Sequence, residues 1–186
     1  MSADKRPEHH KRDLLLSDRI SQGTVKDIIK DIFEINFDDD EKEEIYKDWE
    51  RKPIQLFINS YGGCVYDGLA LIDVIKRSKT PVHTVCIGSC MSMALWVWLS
   101  GAKRFVGESA TLMFHDVFLF AYNKTEGIKQ ELNEMIRLQE MLVSEIVGKS
   151  MIKEETLRDY ISRKAEWYIP ATEAITLKLA DKYYNR

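Results

Sequence analysis

Ser92 is the residue in this chain best placed by its neighbours to act as a nucleophile. It lies in Ile87-Gly88-Ser89-Cys90-Met91-Ser92-Met93-Ala94, a run of small residues that opens onto the apolar segment Ala94–Leu99. The β-branched stretch Val82–Ile87 reads as a strand, Gly88 as its break, and the apolar segment as a buried helix. A serine at such a strand-to-helix turn sits where backbone N–H groups lack partners. Reactions that build negative charge on an oxygen need donors of that kind. The hydroxyl also needs a base, because serine at its free pKa is a poor nucleophile. Of the four histidines, His9 and His10 fall in a charged N-terminal tail and His83 lies inside the Val82–Ile87 strand. His115 ends the run Thr111-Leu112-Met113-Phe114 beside Asp116 and is the candidate base.

Each feature has an ordinary explanation when taken alone. A serine at a helix start is usually a cap, a histidine at a strand end is usually structural, and Gly62-Gly63 marks a turn. Ser89 and Cys90 are rival nucleophiles, although Cys90 has no neighbouring cation in sequence to lower its pKa. The conjunction of these groups in one chain is what points to nucleophilic catalysis.

The elements that must position them follow from periodicity. Leu14-Leu15-Leu16 reads as a short strand and Ser17-Asp18-Arg19 as a turn. Val25, Ile28, Ile29, Ile32 and Phe33 predict a helix from Thr24 to about Asn36. The acidic block Asp38–Glu41, continued by Lys42-Glu43-Glu44, lacks the spacing of a calcium loop and is expected as a solvated surface segment. Ile54–Ile58 predicts a strand that ends at the turn Asn59–Gly63. Val65, Leu69, Ile72 and Ile75 mark the next helix, closing near Ser78. A strand pair is expected around Arg104–Val106 and Thr111–His115. From Thr125 to about Val147 a long helix carries apolar residues over more than one stripe, as burial against both the domain and a second subunit would require. Shorter helices are predicted at Lys153–Arg163 and after Pro170. Strands alternate with helices from residue 54 to 105, which implies an α/β fold with parallel pairing.

A chain of 186 residues, 45 % hydrophobic and 31 % charged, suits one globular domain. Residues 1–12 read as a charged, flexible segment and 13–186 as a single domain. A net charge of −3 excludes the basic footprint of a nucleic-acid or membrane-seeking surface. The longest apolar run falls short of the roughly 20 residues that span a bilayer, and the N-terminus has no signal-peptide core. Cys64, Cys86 and Cys90 have no CxxC spacing and no His/Cys cluster beside them, so reduced thiols are expected and a zinc set is not. There is no Gly-x-x-x-x-Gly-Lys phosphate loop, so any use of ATP belongs to a partner.

In order, Asn59-Ser60-Tyr61-Gly62-Gly63, Gly88–Met93, the strand end Met113-Phe114-His115, and Glu166 ahead of Ala171-Thr172-Glu173-Ala174 resemble the ClpP family. These are the proteolytic subunits of Clp ATP-dependent proteases. The resemblance runs from about Leu14 to the C-terminus. It implies a ClpP/crotonase-like α/β fold, mostly parallel sheets flanked by helices, with a protruding strand–helix handle. It further implies a cytoplasmic serine endopeptidase that forms a self-compartmentalised protease and degrades unfolded polypeptides. Its rings of seven would stack in pairs as a tetradecamer, fed by an AAA+ unfoldase of the ClpX or ClpA type. No cofactor, nucleic acid or membrane is implied. Position by position, Ser92 matches the nucleophile, His115 the base, and Gly63 and Met93 the oxyanion-hole donors. Gly62, Cys64 and Val65 match the segment that lies beside the substrate. Glu166 stands where the family has the triad aspartate, with Asp116 and Asp159 as lower-ranked substitutes.

Some positions depart from the family's pattern. Tyr61 replaces the proline before the glycine pair, His115-Asp116-Val117 replaces His-Gln-Pro, and Ala165 replaces an arginine used between rings. In Ile54-Gln55-Leu56-Phe57 one aromatic stands where the family tends to have two, in the groove that receives ATPase loops. These departures sustain a second expectation, a catalytically weak structural or regulatory ring subunit. A capsid-maturation protease and an acyl-CoA enzyme are further alternatives on the same resemblance, and Ser92 with His115 favours peptide hydrolysis over the latter.

Overall fold

One long strand organises the sheet. In this computed structural model, which describes residues 11–117 and 124–185, β3 (Val82–Met91) pairs first with two neighbours and then with a third. Its first half runs parallel to β2 (Ile54–Ser60), from Ile54↔Val82 to Ile58↔Cys86, and to β4 (Lys103–Val106) on the other side. Its last three residues run parallel to β5 (Thr111–Phe114), Ser89↔Thr111 to Met91↔Met113. β1 (Asp13–Leu16) flanks β2 in parallel. At the far edge β7 (Lys182–Tyr183) flanks β4, and β6 (Trp167–Pro170) pairs antiparallel with β5. The helices between strands supply the crossovers that parallel pairing needs. They are α1 (Gln22–Ile45), α2 (Val65–Arg77) and α3 (Met93–Leu99), followed by α4 (Thr125–Lys149), α5 (Glu154–Ser162) and α6 (Ala171–Thr176). The expected α/β architecture, with a mostly parallel sheet between helices, is the one found. The tail containing His9 and His10, and residues 118–123 at the expected start of the handle, lie outside the described residues.

Along β2 the alternation is plain: Ile54, Leu56, Ile58 and Ser60 are buried while Gln55, Phe57 and Asn59 are not. Inward residues of β1, β2 and β3 meet α1, α2 and α3 to form the core, with Leu16, Ile32, Leu56, Leu71, Cys86 and Trp98 at its centre. Burying such side chains contributes about 1.5–3 kcal/mol each.

The structure corrects several readings. Gly88 does not break β3. It is the point where the strand changes partners, and a Cβ there would lie 2.5 Å from Asn59 Oδ1. That oxygen accepts the Ser89 N–H (3.1 Å) and lies 3.2 Å from Ser89 Oγ. The segments around 104–106 and 111–114 are strands, yet they pair with different parts of β3 and not with each other. β6 and β7, both short, were not foreseen.

The largest correction concerns the acidic block. Helix α1 starts at a capping box, with Ser21 N–H donating to Thr24 Oγ1 (3.0 Å), and continues through the block to Ile45. Asp39 is fully buried. Arg12 grips it with two bonds (2.8 and 2.6 Å), and Thr80 Oγ1 (2.5 Å) and Trp49 Nε1 (3.1 Å) also donate to it. Arg51 spans Asp40 and Glu43 on the outer side of the same turn. A charged block therefore closes onto the core because one carboxylate in it finds a complete set of donors.

Burial alone would push the Asp39 carboxyl up, but the bonds from Arg12, Thr80 and Trp49 outweigh it and hold the pKa below the ordinary value. A folded-state pKa below the unfolded one gives stability that is complete above about pH 3.9 and is lost as pH falls further. Asp39→Ala is expected to cost about 3–5 kcal/mol in urea unfolding at pH 7, by leaving Arg12 buried without its counter-ion. The gap between parent and variant should shrink as the same titration is repeated below pH 4.

Candidate active site

At the end of β3 the chain turns from strand to helix within a single residue. Ser92 has φ 54° and ψ −126°, a region that non-glycine residues rarely enter. Its N–H donates to Met113 O at 3.0 Å, and its carbonyl accepts the Leu95 N–H at 3.0 Å, so both flanking peptides are fixed. Behind it every side chain of α3 from Met93 to Leu99 is buried. The sequence places strained serine and buried helix side by side, and the second holds the first in place.

The loop Gly62-Gly63 packs directly on this turn. At Gly62 (φ +99°) a Cβ would lie 2.8 Å from both Ser92 Cβ and Met91 O, and 3.1 Å from Met93 N. Only glycine tolerates that backbone at that range. Gly63 bridges to Ile20 through the bonds Ile20 N–H to Gly62 O and Cys64 N–H to Ile20 O, both 2.9 Å. The Gly63 N–H takes part in neither bond and, by the alternation of an extended segment, faces away from Ile20. The Met93 N–H is the first of α3 and has no acceptor within the helix.

Ser92, His115, Gly62, Gly63, Cys64, Val65 and Met93 all line one cleft of about 1130 Å³. Its walls are apolar where Trp96, Met135, Leu138 and Leu142 face it. Glu166 does not line it. The β5–β6 ladder ends at Phe114↔Trp167, and one further step of that register sets Glu166 across from His115. Trp167 stacks on Tyr160 (centroids 5.0 Å apart), which anchors this end of β6. The Glu166 carboxylate is exposed and accepts the Tyr168 hydroxyl at 2.5 Å, which raises the phenol's pKa. Asp116 lines the cleft, whereas Asp159 pairs with Arg163 at 2.6 Å on the surface. The rival nucleophiles are occupied or inert. Ser89 is held by Asn59, and burial pushes the Cys90 thiol far above its ordinary pKa.

Sequence reasoning missed the contacts that close the cleft between α2 and α4. Tyr66 donates to Glu134 at 3.1 Å, and Arg137 pairs with the same carboxylate at 2.6 Å. The Arg137 and Tyr66 bonds, against a smaller desolvation cost, bring the Glu134 pKa down to about 2. The Glu134–Arg137 pair was visible as an i, i+3 spacing. Tyr66, 68 residues away, carried no such signal. Among the described residues no group of three His, Cys, Asp or Glu could hold a metal ion, and no helix is long and apolar enough to cross a membrane. A serine at a fixed turn, a histidine in the same cleft and two outward-facing N–H groups can together attack a carbonyl and receive the resulting oxyanion.

Comparison with known proteins bears on what carbonyl that is. A family model described as Clp protease matches residues 9–186. The ATP-dependent Clp protease proteolytic subunit 2 of Prochlorococcus marinus strain MIT 9313 is 31 % identical over 164 residues, covering 83 % of this chain and 76 % of that protein. Proteolytic subunit 1 of strain MIT 9312 is 29 % identical over 177 residues, covering 91 % and 82 %. Proteolytic subunit 2 of Synechococcus sp. strain CC9605 is 28 % identical over 182 residues, covering 94 % and 84 %.

A methyl group at residue 62 has no room unless the serine turn moves. Gly62→Ala is expected to slow phosphonylation of Ser92 by a fluorophosphonate probe, in which Oγ displaces fluoride from phosphorus, by about 10²-fold, the usual penalty of roughly 1 Å of misplacement. Labelling kinetics on protein with the parent's circular dichroism would check this.

Proposed function

This chain belongs to the Clp protease family, and we propose that it is the serine endopeptidase subunit of a self-compartmentalised protease with Ser92, His115 and Glu166 as its triad. The observation that carries the reading is the one-residue turn at Ser92, shared by a single cleft with His115 and backed by Gly62-Gly63. His115 takes the Ser92 proton as Oγ attacks the scissile carbonyl, then returns it to the leaving amine. The Gly63 and Met93 N–H groups meet the oxyanion. Water hydrolyses the acyl-enzyme with His115 again as base. Glu166 serves this cycle by turning from Tyr168 to the imidazole it faces in register, orienting it and stabilising its positive charge. Unfolded polypeptide lies extended beside Gly62–Val65 and adds main-chain hydrogen bonds. Val65 and Met93 favour an apolar side chain next to the cleavage point. The chemistry draws on side chains and peptide groups alone, without a cofactor.

Exposed apolar residues on separate faces support assembly into a ring. Phe33 and Phe37 stand out from α1, and Ile128, Leu132 and Ile136 from α4. Unlike patches on unlike faces suit the head-to-tail contacts that close a ring, here one of seven, with stacking in pairs as the larger form. The outer sheet face suits an AAA+ unfoldase of the ClpX or ClpA type, which would supply all ATP hydrolysis. On that face Tyr184 packs against Phe57 (5.4 Å) and Phe105 (6.3 Å), while Gln55 lies beside His83. A cytoplasmic location fits this partnership. A second reading, the catalytically weak ring subunit, is favoured by one observation: the bond that holds Glu166 to Tyr168.

Two experiments decide among these. Ser92→Ala should abolish both fluorophosphonate labelling and hydrolysis of a short fluorogenic peptide, while a parent that never labels would favour the weak subunit. Glu166→Ala should lose about 10²-fold in kcat and far more than Asp116→Ala; the reverse order would reassign the acid. Separately, Phe57→Ala should lower unfoldase-driven degradation of a folded substrate and leave short-peptide hydrolysis unchanged.

A further inference from the structure

His115 sits on the first residue beyond the strand ladder, since β5 pairs with β3 as far as Met113 and with β6 as far as Phe114. The segment His115-Asp116-Val117 continues half-buried along the cleft. At its end the Val117 N–H donates to Gln139 Oε1 at 2.6 Å. Gln139 belongs to α4, next to Leu138, which forms part of the cleft wall. A proline at this position would have no N–H to satisfy and a φ set by its ring. Valine here brings a donor that burial would penalise and a freer backbone, and the glutamine answers both. Among the described residues the other end of that amide, Nε2, is buried with no partner. As a packing choice such a side chain is poor, because the unpaired donor carries a desolvation penalty. Its service is the bond that Oε1 accepts from Val117.

We propose that Gln139 is a positioning residue for the base: by holding the Val117 N–H it fixes the backbone that carries His115 relative to Ser92. This rests on the reading of Ser92 and His115 as nucleophile and base. The bond ties the histidine's segment to the same helix that walls the substrate cleft, so base and cleft keep a common frame.

The test is a double-mutant cycle on the full-length assembled protein with a short fluorogenic peptide. Gln139→Leu should lower kcat by about 10- to 10²-fold with KM nearly unchanged, as loss of alignment predicts. Gln139→Glu, which keeps an acceptor oxygen, should stay within about threefold of the parent. In a Val117→Pro background, where the N–H is gone, Gln139→Leu should cost less than about twofold. An unchanged kcat in Gln139→Leu overturns the proposal. So does an equal loss in the proline background, or a fall in melting temperature and assembly that tracks the fall in kcat. Ser92→Ala run in parallel separates the two levels. If it still hydrolyses peptide, the underlying reading fails; if it is dead while Gln139→Leu works at full rate, the inference alone fails.

Discussion

The turn at Ser92 is the constraint around which the neighbouring structure is arranged. A residue in that backbone region carries strain of the order of 1–3 kcal/mol, and it persists only where the surroundings over-determine it. Here α3 supplies the means, since Met93 to Leu99 are all buried and each large apolar side chain contributes about 1.5–3 kcal/mol on burial. The rest follows from the turn. β3 must extend past its first partners to reach the turn, β5 must meet it there through Met113 O, and a glycine must stand at 62 because Ser92 Cβ occupies the space.

A second constraint lies on the opposite side of the core. Asp39, Arg12, Thr80 and Trp49 form a buried polar cluster that joins the start of β1, the last third of α1 and the entry to β3. A buried ion pair of this kind is a weak source of net stability, but breaking it is expensive. Its clearest effect is geometric. It draws Arg12 and the first strand against α1, and so sets where β1 delivers Ile20 to bridge Gly63.

Much of this was legible in the residues, for identifiable reasons. β2, α2 and α4 carry long, regular periodicity, and the glycine pair, Ser92 and His115 are recognisable from type and spacing. What stayed hidden was pairing across distance. Nothing near Asp39 reveals that Arg12, 27 residues earlier, will face it, so the charge run looks solvated in sequence. Trp167–Pro170 is too short and ends in proline, which hid β6 and with it the register that aligns Glu166 with His115. The hydroxyl of Tyr168 lies next to that carboxylate because residues two apart share one side of an extended segment. Gly88 misled because a glycine that makes room for Asn59 looks, in one dimension, like a glycine that ends a strand.

Helix α4 has a further consequence. Leu138 and Leu142 wall the cleft from one side of it, while Ile128, Leu132 and Ile136 stand exposed elsewhere along the same rod. A neighbour that seats on the exposed residues and a peptide that fills the cleft act on one rigid body. Rigidity alone couples nothing, but any shift of the rod that one of them favours is felt by the other, and such a linkage is reciprocal: whatever factor association adds to peptide affinity, peptide must add to association.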